Sequence, residues 1–240
     1  MPDYTKIVET MECDYFFQLP PKQILEHCLS FVLMDLRNDG CGLAILEEKL
    51  DAVWMLSHMR YTQTAPACAD DVLTYRTYPR ITERHRYVFQ VDILREDECI
   101  IRFEAAFIPV HKEKRQILRL NLLEPLWNTA DRPAPADALP LRSLRPHCEF
   151  RPCGSDTVRL SDCDKNRHMT SGAYLSMACN ALGYWDSDTP RPIRMMQVDF
   201  SREVYPGTAL RFERSEADGL HYVRGINPEG LPAFTAVCDF

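Results

Sequence analysis

Residues 161–174 read SDCDKNRHMTSGAY, a dense polar stretch between a β-rich segment and a helical one. Asp162, Asp164, Asn166 and His168 recur at every second position. In an extended segment this spacing places all four side chains on one side, at the positive end of the following helix. A carboxylate or a His moves protons, and an amide or a backbone N–H stabilises an oxyanion. The stretch therefore predicts a site for hydrolysis.

The helix that follows has recognisable ends. Thr170 or Ser171 can cap its start, and Gly183 can close it. A simpler interpretation of the polar stretch competes with the functional one, because Asp, Asn and Ser before a helix are often turn and cap residues. A single His is also more often a surface residue than a catalyst. The combination, with Tyr174 six positions after the His, favours the functional interpretation.

The chain divides into two halves around a proline-rich segment. Residues 129–146 hold four prolines and predict a semi-extended linker between an N-terminal domain, 1–128, and a C-terminal domain, 147–240. In each half a helical pattern precedes β-rich stretches, which indicates an α+β fold of two similar domains, each an antiparallel sheet wrapped around a central helix. The first helix is predicted from Leu25, Cys28, Leu29, Val32 and Leu36, and the clearest strands are 87–94, 99–110, 221–226 and 233–239.

The two halves differ in their polar residues. Aligning residues 59–64 with 198–203 makes Thr64 the counterpart of Glu203. Residues 13–18, which precede the first helix, read CDYFFQ and lack both the Asn and the His. The sequence therefore predicts one working site per chain, in the second half.

The spacing Asp164-x-Asn166-x-His168, with Tyr174 on the next helix, resembles the signature of hotdog thioesterases. The duplicated length makes the chain similar to the acyl-ACP thioesterases of plant plastids and bacteria, which carry two hotdog domains in one polypeptide. That family places an acid on a later strand, and the matching phrase, 198–207, carries the acid onto Glu203.

The chain departs from the family pattern at two points. Residues 169–171 are Met-Thr-Ser where the family usually has Val-Asn-Asn, and Val204 stands where the family often has Cys. The second departure argues against a thiol nucleophile. Water or a carboxylate is then the attacking group.

The resemblance implies a double hotdog that hydrolyses fatty acyl thioesters, acyl-ACP above all, without a cofactor or a metal. Its catalytic residues would be Asp164, Asn166, His168 and Glu203. Either Glu203 or Asp164 would activate water with help from His168, or a carboxylate would attack directly to give an anhydride, and the sequence leaves both routes open. The acyl chain would lie in the first hotdog, and the expected substrate-contacting residues are Met34, Trp54, Met55, Leu56, Met59 and Ser171.

The expected partner is acyl carrier protein. Because that protein is acidic, a basic patch should receive it, and the candidates are 111–115, Arg119, Arg142 and Arg145. Solvated surface charges are the simpler interpretation of these residues. The oligomeric state stays open, a homodimer included.

Composition and the start of the sequence indicate what such an enzyme does not bind and where it is expected to act. The formal net charge of -7 argues against sequence-independent nucleic-acid binding. The start of the sequence has no signal-peptide pattern, and no apolar run is long enough to span a membrane, so a cytoplasmic enzyme is expected.

Three alternatives keep the fold but change the activity. The first is an acyl-CoA thioesterase, which needs no carrier protein. The second is a hotdog hydratase or dehydratase, although the sequence shows no characteristic hydratase phrase. The third is a non-catalytic protein that binds acyl chains or partners, in which the polar side chains would not converge.

Overall fold

The structure, a computed structural model, describes residues 3–81, 86–123 and 141–240. The first half contains one long helix, one short helix and five strands, and the second contains one helix and five strands. These elements are β1 (Asp3–Ile7), α1 (Pro21–Asn38), α2 (Leu43–Leu50), β2 (Ala52–Gln63), β3 (Val72–Ile81), β4 (Tyr87–Arg95), β5 (Glu98–His111), β6 (Arg151–Thr157), α3 (Ser171–Leu182), β7 (Met195–Phe200), β8 (Ala209–Ala217), β9 (Leu220–Ile226) and β10 (Pro232–Asp239).

The strands of the described residues form one antiparallel ten-stranded sheet, in the order β1-β3-β4-β5-β2-β7-β10-β9-β8-β6. Each half contributes five strands in the same internal order, and the halves meet where β2 pairs with β7. The α+β prediction and the prediction of two similar halves are both confirmed.

The central helices lie against the sheet through the residues that the sequence pattern selected. α1 buries Leu25, Cys28, Val32 and Leu36 completely. The sheet and both central helices share one apolar core. Burial of these side chains stabilises each half by removing apolar surface from water. In the described part of the chain, no helix is long and apolar enough to cross a membrane.

The ends of α3 agree with the sequence. Thr170, one of the two predicted caps, is the N-cap residue, and its Oγ1 accepts the N–H of Ala173 at 3.2 Å. Ser171 is the first helical residue instead. Gly183 closes the helix with a φ of 70°, a left-handed conformation that glycine adopts without steric cost.

Equivalent hydrogen bonds in the two halves show which of their residues correspond. The N–H of Leu19 donates to the carbonyl of Ala67 at 2.8 Å, and the N–H of Met169 donates to the carbonyl of Val204 at 2.8 Å. The residue before Ala67 is Pro66, which therefore corresponds to Glu203. The alignment that paired Glu203 with residue 64 was wrong by two positions.

The predicted linker is described only in part. Its residues 129–140 lie outside the described residues, as do 1–2 and 124–128 of the predicted N-terminal domain, so the domain boundaries stay a prediction. The linker residues from 141 onward run over the face of the sheet opposite the helices. Gln197 Nε2 donates to the carbonyl of Arg142 at 2.6 Å, and Asp199 Oδ2 accepts the N–H of Leu144 at 2.6 Å.

Candidate active site

The polar stretch before α3 is a tight turn, so the extended conformation assumed for it was wrong. Asp164 Oδ1 accepts the backbone N–H groups of Asn166 at 2.8 Å and His168 at 3.0 Å. Between them Arg167 adopts a φ of 62°. Asp164 Oδ2 accepts a hydrogen bond from the side-chain Nδ2 of Asn166 at 3.2 Å. Both oxygens of Asp164 are therefore engaged in shaping the turn and orienting Asn166.

Asp162 is turned away from this group. Its Oδ2 accepts the N–H of Arg159 at 2.7 Å, within the 3-10 turn that precedes the loop. Asp162 has the capping role of the simpler interpretation. Of the four alternating side chains, those of Asp164, Asn166 and His168 thus belong to the loop whose His168 contacts Glu203.

Glu203 lies in the loop after β7, beyond the end of the strand, so strand alternation does not orient it. Two hydrogen bonds fix its neighbours. The hydroxyl of Tyr174, on α3, donates to the carbonyl of Arg202 at 2.9 Å. The carbonyl of Val204 accepts the N–H of Met169 at 2.8 Å. The loop that carries Glu203 is thereby tied both to α3 and to the polar turn that precedes it.

The imidazole and the carboxylate meet. His168 Nδ1 lies 3.3 Å from Glu203 Oε1, and both side chains are largely shielded from solvent. Arg115, from the turn after β5, contacts the same Oε1. Tyr205 lies edge-on to the His168 ring with 5.1 Å between the ring centroids. The site therefore combines groups from both halves of the chain.

Tyr174 lies near Glu203 and is hydrogen-bonded to the main chain. Burial, and then the nearby charge of Glu203, raise the pKa of Tyr174 well above its ordinary value. The hydroxyl stays protonated and serves as a hydrogen-bond donor to the main chain.

The start of α3 offers a place for a developing negative charge. Among the described residues, the N–H groups of Ser171 and Gly172 have no hydrogen-bond acceptor. A Cβ on Gly172 would lie 2.7 Å from Glu26 Oε1, so the glycine lets α3 begin directly against α1. Free N–H groups at a helix N-terminus favour an oxyanion.

Solved structures share this architecture over the whole chain. An acyl-ACP thioesterase from Bacteroides thetaiotaomicron superposes with a TM-score of 0.83 at 17% identity, covering 100% of this chain and 97% of that one. The 12:0-ACP thioesterase from Umbellularia californica gives 0.76 at 14% identity, covering 99% and 96%. This chain is a double hotdog. HtdX from Mycobacterium tuberculosis also covers the full length, with a TM-score of 0.62 at 14% identity.

At the level of sequence, no family model and no curated protein matches the chain. The solved structures show the fold that the resemblance predicted. The assignment of activity to the double hotdog therefore depends on the geometry of its site.

In the first hotdog, the predicted acyl-contacting residues do not all lie on the same side of the sheet. Trp54 and Met59 are buried in the core that α1 covers, and Leu56 packs against that core. Met55 follows Trp54 on a strand, where successive side chains point to opposite faces. Met34 is 37% exposed on α1. Trp54, Leu56 and Met59 thus remain as candidates on the helix side of the sheet.

Arg115 and Tyr205 are site residues that the sequence did not assign to the site. Arg115 was expected in a basic patch for the carrier protein. The guanidinium of Arg202, which precedes Glu203 in the sequence, donates to the carbonyl of Pro232 at 2.7 Å. No local pattern links Arg115 to Glu203, because the pairing of the two hotdogs brings them together.

Proposed function

We propose that this double hotdog hydrolyses fatty acyl thioesters, with acyl-ACP as its substrate, and releases the free fatty acid. The observation that carries the proposal is the contact of His168 with Glu203. The N–H groups of Ser171 and Gly172, which have no hydrogen-bond acceptor among the described residues, begin α3 three residues after His168. A thioesterase needs a base for water and donors for the oxyanion, and we assign these roles to Glu203 and to these N–H groups. The folds of the two acyl-ACP thioesterases support the same substrate class.

In the proposed mechanism Glu203 is the general base. Its Oε1 is held by Arg115 and His168, while Oε2 accepts no hydrogen bond from the described residues and takes the proton of the attacking water. The carbonyl oxygen of the thioester accepts hydrogen bonds from Asn166 and from the N–H groups at the start of α3. Asp164 keeps Asn166 in place. The carbon–sulfur bond of the tetrahedral intermediate then breaks, and His168 passes the proton that Glu203 took from water to the departing thiolate, which restores both groups.

The experiment measures release of free fatty acid from a panel of acyl-ACPs and the matching acyl-CoAs by mass spectrometry. Glu203→Gln removes the base but keeps the shape, so turnover should fall by about a hundredfold or more. The matched control is Glu216→Gln, since Glu216 is an exposed acid 3.9 Å from His221 on a neighbouring strand. Near-normal turnover of Glu203→Gln, with an unchanged unfolding curve, would remove Glu203 from the mechanism.

The two thioester panels also separate the substrates. An acidic carrier protein adds attraction to basic side chains beyond the acyl group itself. We expect a higher kcat/KM for acyl-ACP than for acyl-CoA of the same chain, and an advantage that shrinks as salt is raised. Equal values for both thioesters would point to the acyl-CoA thioesterase.

A further inference from the structure

Arg115 reaches the candidate active site from the other hotdog. It lies in the turn that follows β5, where the N–H of His111 donates to the carbonyl of Gln116 at 2.9 Å and the N–H of Arg115 donates to the carbonyl of His111 at 3.0 Å. Arg115 itself has a φ of 52°. The turn is thus a closed hydrogen-bonded structure that directs this guanidinium from the first half onto Glu203 in the second.

The two carboxylate oxygens of Glu203 differ in their contacts. Arg115 Nη2 and His168 Nδ1 both approach Oε1. Oε2 accepts no hydrogen bond from the part of the chain that the structure describes. A carboxylate that is fixed through one oxygen can present the other to water in a single orientation, and a well-oriented base is a more effective one.

The other groups around Glu203 do not duplicate this contact. Tyr174 faces it from α3 as a neutral hydroxyl that is already bonded to the main chain. The guanidinium of Arg202 is directed to the carbonyl of Pro232. Among the described residues, Arg115 is therefore the one guanidinium that contacts Glu203.

We propose that Arg115 is a positioning residue, which holds Oε1 of Glu203 and so orients Oε2 toward the attacking water. The proposal rests on the function proposed above. It gives the first hotdog a part in the chemistry besides receiving the acyl chain. Because the base and its positioning residue belong to different halves, the active site is complete only when the two hotdogs are joined.

The kinetic test compares three variants of the full chain. Arg115→Met should lower kcat by about ten- to a hundredfold and leave KM within about twofold, because the base is misplaced while substrate contacts persist. Arg115→Lys should recover part of kcat, since lysine restores the charge but not the planar fork. Arg194→Met removes a guanidinium from an exposed ion pair with Asp239 and should leave kcat unchanged.

The separation of kcat from KM and the partial rescue by Arg115→Lys are readouts that a merely structural role would not give. An unchanged or higher kcat in Arg115→Met, or an equal loss in Arg194→Met, would overturn the proposal.

A second measurement does not depend on turnover. In urea unfolding, the double variant Arg115→Met/Glu203→Gln should be destabilised by less than the sum of the two single variants, because each single variant already removes the same contact. If the unaltered chain hydrolyses no acyl thioester, the proposed function fails while this double-mutant cycle still tests the contact. Strict additivity of the two single variants would refute the placement of Arg115 on Glu203.

Discussion

Glu12 is a carboxylate held between two basic side chains in the first half. Its Oε1 lies 2.8 Å from Lys6 Nζ and 3.0 Å from His27 Nε2. Burial would raise its pKa, but hydrogen bonds from Lys6, the Glu9 N–H and His27 outweigh burial and lower the pKa to about 2. Burial lowers the pKa of His27 as well.

These shifts predict how stability depends on pH. A carboxyl whose pKa is lower in the folded than in the unfolded chain stabilises fully above the unfolded value of 4.5, and the stabilisation is lost as pH falls toward 2. The lowered pKa of His27 works in the same direction, beginning near 6.5. Glu12→Gln should lower the free energy of unfolding at pH 7 by about 1 kcal/mol, since solvent screens part of the interaction, and flatten its decline between pH 4.5 and 2. Urea unfolding at several pH values checks this, and a variant of the exposed Glu98 should keep the decline.

At the scale of residues, the sequence predicted which polar groups form the turn before α3 but not how they come together. Spacing selected Asp162, Asp164, Asn166 and His168, and Asp162 belongs to the preceding 3-10 turn instead. An αL residue inside the turn, rather than strand alternation, sets the directions of the other three. The contact of Arg115 with Glu203 could not be predicted, because it arises from tertiary packing and no sequence period records it.

At the scale of elements, β9 and β10 are joined by a close approach that leaves no room for a side chain. Gly225 pairs with Phe234, and a Cβ on Gly225 would lie 2.3 Å from the buried Phe234 ring. Gly225→Ala should therefore lower the free energy of unfolding by about 1–3 kcal/mol through overpacking. The double variant with Phe234→Leu should be less destabilised than the sum of the single variants, because the smaller side chain relieves the clash. Strict additivity in thermal or urea unfolding would contradict this.

The helices show which elements a sequence pattern reveals. α1 and α3 follow a helical apolar period with a recognisable cap or C-terminal glycine, and both were predicted. α2 was missed because it is short and buries a single residue, Leu46, so its sequence carries almost no periodic signal. The two-residue error in aligning the halves has a related cause, since alternating strands look alike after a shift of two.

At the scale of the whole molecule, duplication preserves the loop before each central helix. Asp14 Oδ1 accepts the N–H groups of Phe16 at 2.9 Å and Gln18 at 3.2 Å, in the same pattern that Asp164 makes. Gln18 stands where the second half has His168, and the position of Glu203 is occupied by Pro66. The order of elements allowed two halves to be predicted, but no local signal shows that β2 and β7 join their sheets into one.

Asp14 and Asp164 hold equivalent positions in the two halves, so their variants separate an effect on stability from an effect on turnover. Asp14→Ala and Asp164→Ala both remove an acceptor for two backbone N–H groups, so each should lower the free energy of unfolding by about 0.5–2 kcal/mol. Loss of kcat should accompany the change at Asp164 alone, because the first loop carries neither the imidazole nor the acid. Asparagine keeps one acceptor oxygen for the turn but loses the second, which holds the Asn166 side chain. Asp164→Asn should therefore restore most of the stability and only part of kcat. A stable Asp164→Asn with kcat as low as that of Glu203→Gln, measured by fatty acid release beside urea unfolding, would instead make Asp164 the base and displace Glu203 from that role.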